Sequence, residues 1–124
     1  MRILIVDDDQ GTGNALGFGL RSMGHEVVTA NNGYEALDIL GTSNSGEERV
    51  ELLITDMRMP GMNGLELIQS ARELALDIPA ILITAYGSPS LEREIMQVGG
   101  CGYMEKPFSP EVLSGMISAM KGLS

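Results

Sequence analysis

Asp7, Asp8, Asp9 and Asp56 offer carboxylates, Thr84 a hydroxyl and Lys106 an ammonium, and each follows a short, largely apolar run. Ile3-Leu4-Ile5-Val6 leads into Asp7-Asp8-Asp9, and Leu52-Leu53-Ile54-Thr55 leads into Asp56. Ala80-Ile81-Leu82-Ile83 leads into Thr84, and Tyr103-Met104-Glu105 into Lys106-Pro107. Neighbouring carboxylates repel, and each disfavours ionisation of the others. A hard cation such as Mg2+ relieves that repulsion and prefers one or two carboxylates plus water and substrate oxygens. A carboxylate can also act as a nucleophile and accept a phosphoryl group, which makes Asp56 the best acceptor candidate. The Thr84 hydroxyl would hydrogen-bond phosphoryl oxygens, and the Lys106 ammonium would neutralise their charge. Taken singly, each has a plainer reading: a solvated acidic turn, a threonine placed for its β-propensity, a surface lysine. Taken together at strand ends, they point to metal-assisted phosphoryl chemistry.

The elements that must gather these groups follow from the same runs. Short aliphatic runs read as strands buried on both faces, hence as a parallel sheet, whose ligands bind at the carboxyl ends of the strands. The pattern predicts strands at Arg2–Val6, Glu26–Thr29, Glu51–Thr55, Ala80–Thr84 and Cys101–Met104. It predicts helices at about Gln10–Met23, Tyr34–Leu40, Gly64–Glu73, Ser90–Val98 and Pro110–Met120. Alternation of this kind implies right-handed βαβ units and an α/β three-layer sandwich. Gly24, Gly33, Gly41 and Gly99-Gly100 fall at expected helix ends or turns, where left-handed backbone is useful. Ser109-Pro110 reads as an N-cap followed by proline at the first helical position. Val112, Leu113, Met116, Ile117 and Met120 form one stripe expected to face the sheet. Gly41–Arg49 reads as a polar loop and the most mobile segment.

A chain of 124 residues fits one domain over 1–124, with 44% hydrophobic residues supplying its core. Eight Lys and Arg against 17 Asp and Glu give a formal net charge of −9. Such a domain repels phosphate backbones, so no direct nucleic-acid binding is expected. The one cysteine, Cys101, excludes an internal disulfide, fits a reducing compartment, and reads as a small buried apolar residue. No apolar stretch approaches membrane-span length, and the first strand starts too early for a signal peptide, so a cytoplasmic location is expected. His25 reads as a surface residue. Met57, Met59 and Met62 read as packing for the loop after Asp56. Gly11-Thr12-Gly13 resembles a nucleotide loop only weakly, because the third glycine of the dinucleotide fingerprint is replaced by Leu16.

With these motifs together, the sequence resembles the receiver domain of bacterial two-component response regulators over nearly its whole length. The matching segments are Ile3 through Asp9, Asp56-Met57-Arg58-Met59-Pro60-Gly61-Met62-Asn63-Gly64, Ile83-Thr84-Ala85-Tyr86, and Tyr103 with Lys106-Pro107-Phe108. The resemblance implies a flavodoxin-like five-stranded parallel sheet in the order 2-1-3-4-5. It implies Asp56 as phosphoacceptor. It also implies a Mg2+ ion held by Asp8 directly, by Asp7 largely through water, by Asp56, and by the Arg58 backbone carbonyl. Thr84, Ala85 and Lys106 would bind the phosphoryl group, Ala85 by leaving room. Tyr103 would be a switch aromatic that turns inward as Thr84 moves toward the phosphate. Gly64 would form the tight turn opening the third helix, and a cis bond before Pro107 would aim Lys106. Asp9 has no metal role in the family and reads as a helix cap.

The implied partners are a sensor histidine kinase or phosphotransfer protein, an output domain or downstream protein, and a phosphorylation-dependent second copy. Glycines at 11, 13, 17 and 19 depart from the family pattern, predicting a first helix that is frayed or whose glycines permit close packing with a partner. A competing enzyme reading is a haloacid-dehalogenase-like phosphatase with its nucleophile on the first strand. Asp7-x-Asp9 is there, but Gln10-Gly11 follows where that pattern needs threonine.

Overall fold

The structure is a computed structural model that describes residues 1–42, 49–74 and 77–121. Five strands alternate with five helices: β1 Arg2–Val6, α1 Gln10–Ser22, β2 Glu26–Ala30, α2 Gly33–Thr42, β3 Leu52–Asp56, α3 Gly64–Glu73, β4 Ala80–Thr84, α4 Pro89–Val98, β5 Cys101–Glu105 and α5 Pro110–Lys121. All neighbouring strands pair in parallel in the order β2-β1-β3-β4-β5. The expected fold class and strand order are therefore found. Residues 43–48 of the expected polar loop lie outside the described residues.

β1, β3 and β4 are central, which is why their sequences are near-continuous aliphatic runs. Side chains alternate between the two faces. Leu4, Val6, Leu53, Ala80 and Leu82 pack with Leu67, Ile68 and Ile95 on the α2–α3–α4 face. Ile3, Ile5, Leu52, Ile54, Ile81 and Ile83 pack with Leu20, Leu113 and Ile117 on the α1–α5 face. β2 is an edge strand and is only half covered.

α1 is an unbroken helix despite its glycines. Gly13 and Gly17 are buried, and a Cβ on Gly17 would lie 3.4 Å from Val27 and 3.8 Å from Ile5. The buried glycines let the helix approach β1 and β2 of its own sheet. Asp9 caps α1, its side chain accepting from the Gly11 and Thr12 N–H groups.

Several sequence expectations are corrected. Val112 is exposed rather than on the buried stripe, because Leu113, Ile117 and Met120 already set the buried face of α5. Gly41 lies inside α2 and Gly33 is its first residue, and neither has positive φ. Gly33 instead allows close approach, since a Cβ there would sit 2.7 Å from the Met62 sulfur. Left-handed backbone occurs at Gly24, Gly61, Gly99 and Gly100. Cys101 is half-buried rather than buried, with its thiol against the Arg72 guanidinium at 3.6 Å. Burial raises the thiol pKa, and the guanidinium opposes that rise. Arg72 also donates to the Ile78 and Gly99 carbonyls, tying the α3–β4 and α4–β5 connections to α3. Among the described residues, no helix is long and apolar enough to cross a membrane.

Candidate functional site

Parallel pairing puts the carboxyl ends of all five strands at one edge, and register fixes who meets there. Val6 is opposite Thr55, Asp56 opposite Ile83, and Thr84 opposite Glu105. Asp7 thus leaves β1, Asp56 ends β3, Thr84 ends β4 and Lys106 leaves β5 along one rim.

Carboxylate oxygens of Asp7, Asp8 and Asp56 lie within 4.8 Å of one another. Asp7 is buried, Asp56 partly buried and Asp8 exposed. Burial is the main reason the Asp7 pKa is raised, and the charges of Asp56 and Asp8 add to the rise. The Asp9 N–H, donating to Asp7 Oδ1 at 2.9 Å, and the charge of Lys106 oppose it. A cluster of acids with one member held against ionisation is a donor set that a hard divalent cation would relieve. The residues fit Mg2+ chemistry, and the oxygens of Asp7, Asp8 and Asp56 are the ones that would hold the ion.

Two groups hold the Asp56 carboxylate. Its Oδ1 accepts from the Met57 N–H at 2.9 Å, and its Oδ2 faces Lys106 Nζ at 3.5 Å. The Met57 N–H also reaches the Ile83 carbonyl, locking the strand end to β4. Lys106 is held by its own N–H, which donates to the Thr84 carbonyl at 2.8 Å, and the Lys106-Pro107 bond is cis. Thr84 is buried, and its Oγ1 accepts from the Tyr86 N–H at 3.2 Å. Ala85 is exposed beside it.

The loop after Asp56 returns tightly. The Gly64 N–H donates to the Met57 carbonyl, and Asn63 and Glu66 form a reciprocal capping box at the start of α3. The positive φ of this loop is at Gly61, whereas Gly64 is needed for space. Met57, Met59 and Met62 pack against the core, in line with their reading as loop packing.

Tyr103 is half-buried, and its hydroxyl donates to Glu105 Oε1 at 3.2 Å. Desolvation, then the Glu105 charge, raises its pKa. The Tyr103 hydroxyl occupies the space where a Cβ of residue 87 would stand, so a side chain there would displace the Tyr103 and Glu105 tips. Sequence reasoning found Tyr103 but neither Glu105 nor Gly87. The Tyr103–Glu105 pair sits at i, i+2 on one strand face, a spacing that could have suggested it.

The sequence profile described as "Response regulator receiver domain" matches residues 3–118. A chemotaxis protein CheY homolog of Campylobacter jejuni is 37% identical over 125 residues, covering 98% of this chain and 93% of the relative. An uncharacterized transcriptional regulatory protein, YrkP, of Bacillus subtilis is 36% identical over 118 residues, covering 95% of this chain and 48% of the relative. The chain therefore spans nearly all of one relative and about half of the other. The solved structure of chemotaxis protein CheY4 from Vibrio cholerae superposes with a TM-score of 0.86 at 30% identity, covering 96% of this chain and 97% of that one. The chain belongs to the response regulator receiver domain family, a family of signalling domains from two-component systems.

Proposed function

We infer that residues 1–124 form one receiver domain that works as a phosphorylation-controlled signalling switch, taking a phosphoryl group onto Asp56 from a histidine kinase or phosphotransfer protein in the cytoplasm. The observation that carries this reading is Asp56 Oδ2 facing the Lys106 ammonium at 3.5 Å, with Asp56 a member of a three-carboxylate cluster. An Asp56 oxygen attacks phosphorus, the bond to the donor's nitrogen or oxygen breaks, and the departing group keeps that electron pair. Bound Mg2+ would neutralise charge on the phosphoryl oxygens and on the carboxylates. Asp7, Asp8 and Asp56 supply side-chain oxygens for it, with the Arg58 backbone carbonyl as a further ligand. Lys106 balances phosphoryl charge from the opposite side. Thr84 accepts from Tyr86 N–H, which leaves its hydroxyl proton to donate to a phosphoryl oxygen. Exposed Ala85 offers no bulk to exclude that group. Gly64 and Pro107 shape the turns holding Asp56 and Lys106, and the same groups serve the return reaction with water. With its net charge of −9, the domain signals to protein partners (an output domain, a downstream protein or a second phosphorylated copy) rather than to nucleic acid.

Incubated with acetyl phosphate and Mg2+, the protein is expected to gain one phosphoryl mass per chain, and excess chelator is expected to prevent it. Labelling that ignores the chelator would remove the metal from the reading.

The switch runs through Thr84 and Tyr103. Phosphoryl oxygens draw the Thr84 hydroxyl, space opens beneath α4, and the Tyr103 ring moves, altering the α4–β5–α5 surface. Beryllofluoride, which stands in for the phosphoryl group, is expected to break the Tyr103–Glu105 hydrogen bond and to shift α4 resonances in NMR spectra. One ring orientation in both states would discard the mechanism.

A further inference from the structure

The loop joining Asp56 to α3 meets the first turn of α2 through two reciprocal contacts, each of a large side chain on a glycine. Met62 of the loop lies over Gly33, where an added Cβ would come within 3.1 Å of the Met62 Cβ as well as against its sulfur. Tyr34 of α2 lies over Gly61 of the loop, where an added Cβ would come within 3.2 Å of Tyr34 Cε2. The α2 half of this interlock is firm. The Asn32 side-chain oxygen accepts from the Glu35 N–H at 2.8 Å, and its carbonyl accepts from the Ala36 N–H at 3.1 Å. Ala36 and Leu40 bury the helix behind that turn. The loop half has little bonding of its own. Among the described residues, no backbone N–H from Arg58 to Met62 donates a hydrogen bond. Packing therefore sets its path. Toward β4 the Arg58 guanidinium stands 4.6 Å from the centroid of the Tyr86 ring, and toward α2 the two glycine contacts hold it. Tyr34 is 63% exposed and belongs to neither core cluster, so its ring covers the loop rather than completing the core.

We propose that this interlock is a positioning device: Tyr34 and Gly33 hold the loop in the path that presents the Arg58 carbonyl to the divalent cation, so the first turn of α2 sets the affinity for the ion. This rests on the reading that Asp7, Asp8, Asp56 and the Arg58 carbonyl hold Mg2+. Arg58 stands only three residues before Gly61, so a displacement of Gly61 and Met62 reaches its carbonyl along a short piece of chain. Met57 is pinned separately, its N–H on the Ile83 carbonyl and its own carbonyl on the Gly64 N–H. Loosening the interlock therefore frees the Arg58 carbonyl and leaves the Asp56 carboxylate where it is. Tyr34 is a positioning residue that acts through the loop. If the seated path falls to between about a half and about a fifth of the population, the apparent Mg2+ dissociation constant rises by about two- to fivefold.

The test uses the whole chain as wild type, Tyr34→Phe, Tyr34→Ala and Gly33→Ala. MgCl2 is titrated without any phosphodonor while NMR follows the backbone amides around Asp56, and thermal midpoints are measured in chelator. Tyr34→Ala is expected to raise the half-saturating Mg2+ concentration by about two- to fivefold, with its metal-free midpoint close to wild type because the ring is exposed. Tyr34→Phe keeps the ring edge on Gly61 and is expected to match wild type. Gly33→Ala forces the interlock apart from its other half and is expected to weaken Mg2+ binding at least as much. With acetyl phosphate added, Tyr34→Ala is expected to label slowly at limiting Mg2+ and to recover at saturation. An unchanged half-saturation in either alanine variant would overturn the proposal, as would a phenylalanine variant as weak as Tyr34→Ala. So would a metal-free midpoint that drops in Tyr34→Ala, which would make Tyr34 a residue of fold stability. If the wild type shows no Mg2+-dependent shifts around Asp56, the metal reading fails instead, and the two failures are distinct.

Discussion

Exposed to acetyl phosphate and Mg2+, the Asp56→Asn protein is expected to keep its unmodified mass while the wild type gains one phosphoryl group. Three carboxylates converge within 4.8 Å, and the proposed acceptor role falls on only one of them. Asp7 is 8% exposed and its Oδ1 is occupied by the Asp9 N–H, which limits its access to a phosphoryl donor. Asp8 is exposed, and among the described residues no cation pairs with it. Asp56 alone combines partial access with an ammonium 3.5 Å away, positioned where charge arrives. Asparagine preserves the shape and can still accept the Met57 N–H, but an amide does not form an acyl phosphate under these conditions. Loss of the Lys106 pair and relief of repulsion with Asp7 act in opposite directions, so unfolding stability should stay within about 1 kcal/mol of wild type. A phosphoryl mass found on Asp7 or Asp8 of the variant would move the acceptor. A collapsed melting curve would make the loss of labelling uninformative, which is why both are measured.

The rim was legible because of a simple physical regularity. A strand buried on both faces has to be written as an aliphatic run, and where the run stops the chain leaves the sheet, so Asp7 and Thr84 could be placed at strand ends from the sequence. Asp56 shows the limit of that rule. It is the last residue of β3 rather than the first beyond it, because its backbone still pairs opposite Ile83 although its side chain is polar. Pairing depends on the neighbour, and hydropathy does not report it. The glycines divide similarly. Position suggested left-handed backbone at Gly33 and Gly41, yet what constrains Gly33 and Gly64 is the nearness of Met62 and of Asp56 and Leu82, which only the tertiary fold brings about. The contact of Arg58 with Tyr86 likewise joins two loops whose separation is set only once β3 and β4 lie side by side. Periodicity carries burial along an element. It does not carry contacts between loops.

Gly64→Ala is expected to damage the fold and the site together, and comparison with Gly19→Ala isolates the cause. A Cβ on Gly64 would run into the Asp56 carbonyl oxygen and lie 2.7 Å from Leu82 Cδ1. The first obstacle is backbone at the end of a central strand, and the second is a fully buried side chain. Neither has room to yield, so the start of α3 must lift away from β3. That movement strains the Gly64–Met57 hydrogen bond and drags the carbonyl next to the acceptor carboxylate. Overpacking of this kind typically costs about 1–3 kcal/mol, and contact with backbone puts this case toward the upper end. For a domain of this size the melting midpoint should fall by roughly 5–15 °C. The labelling rate should drop by about tenfold or more even at temperatures where the variant is fully folded, because small displacements of positioned groups are costly. At Gly19 a Cβ would meet nothing within 4 Å. There alanine adds only its helix preference in α1, worth up to about 1 kcal/mol, and the midpoint should rise while labelling stays unchanged. Circular dichroism melts and acetyl phosphate labelling of the two variants read out both halves. If Gly64→Ala melts and labels like wild type, α3 can shift without moving Asp56, and the loop between them is not what holds the acceptor in place.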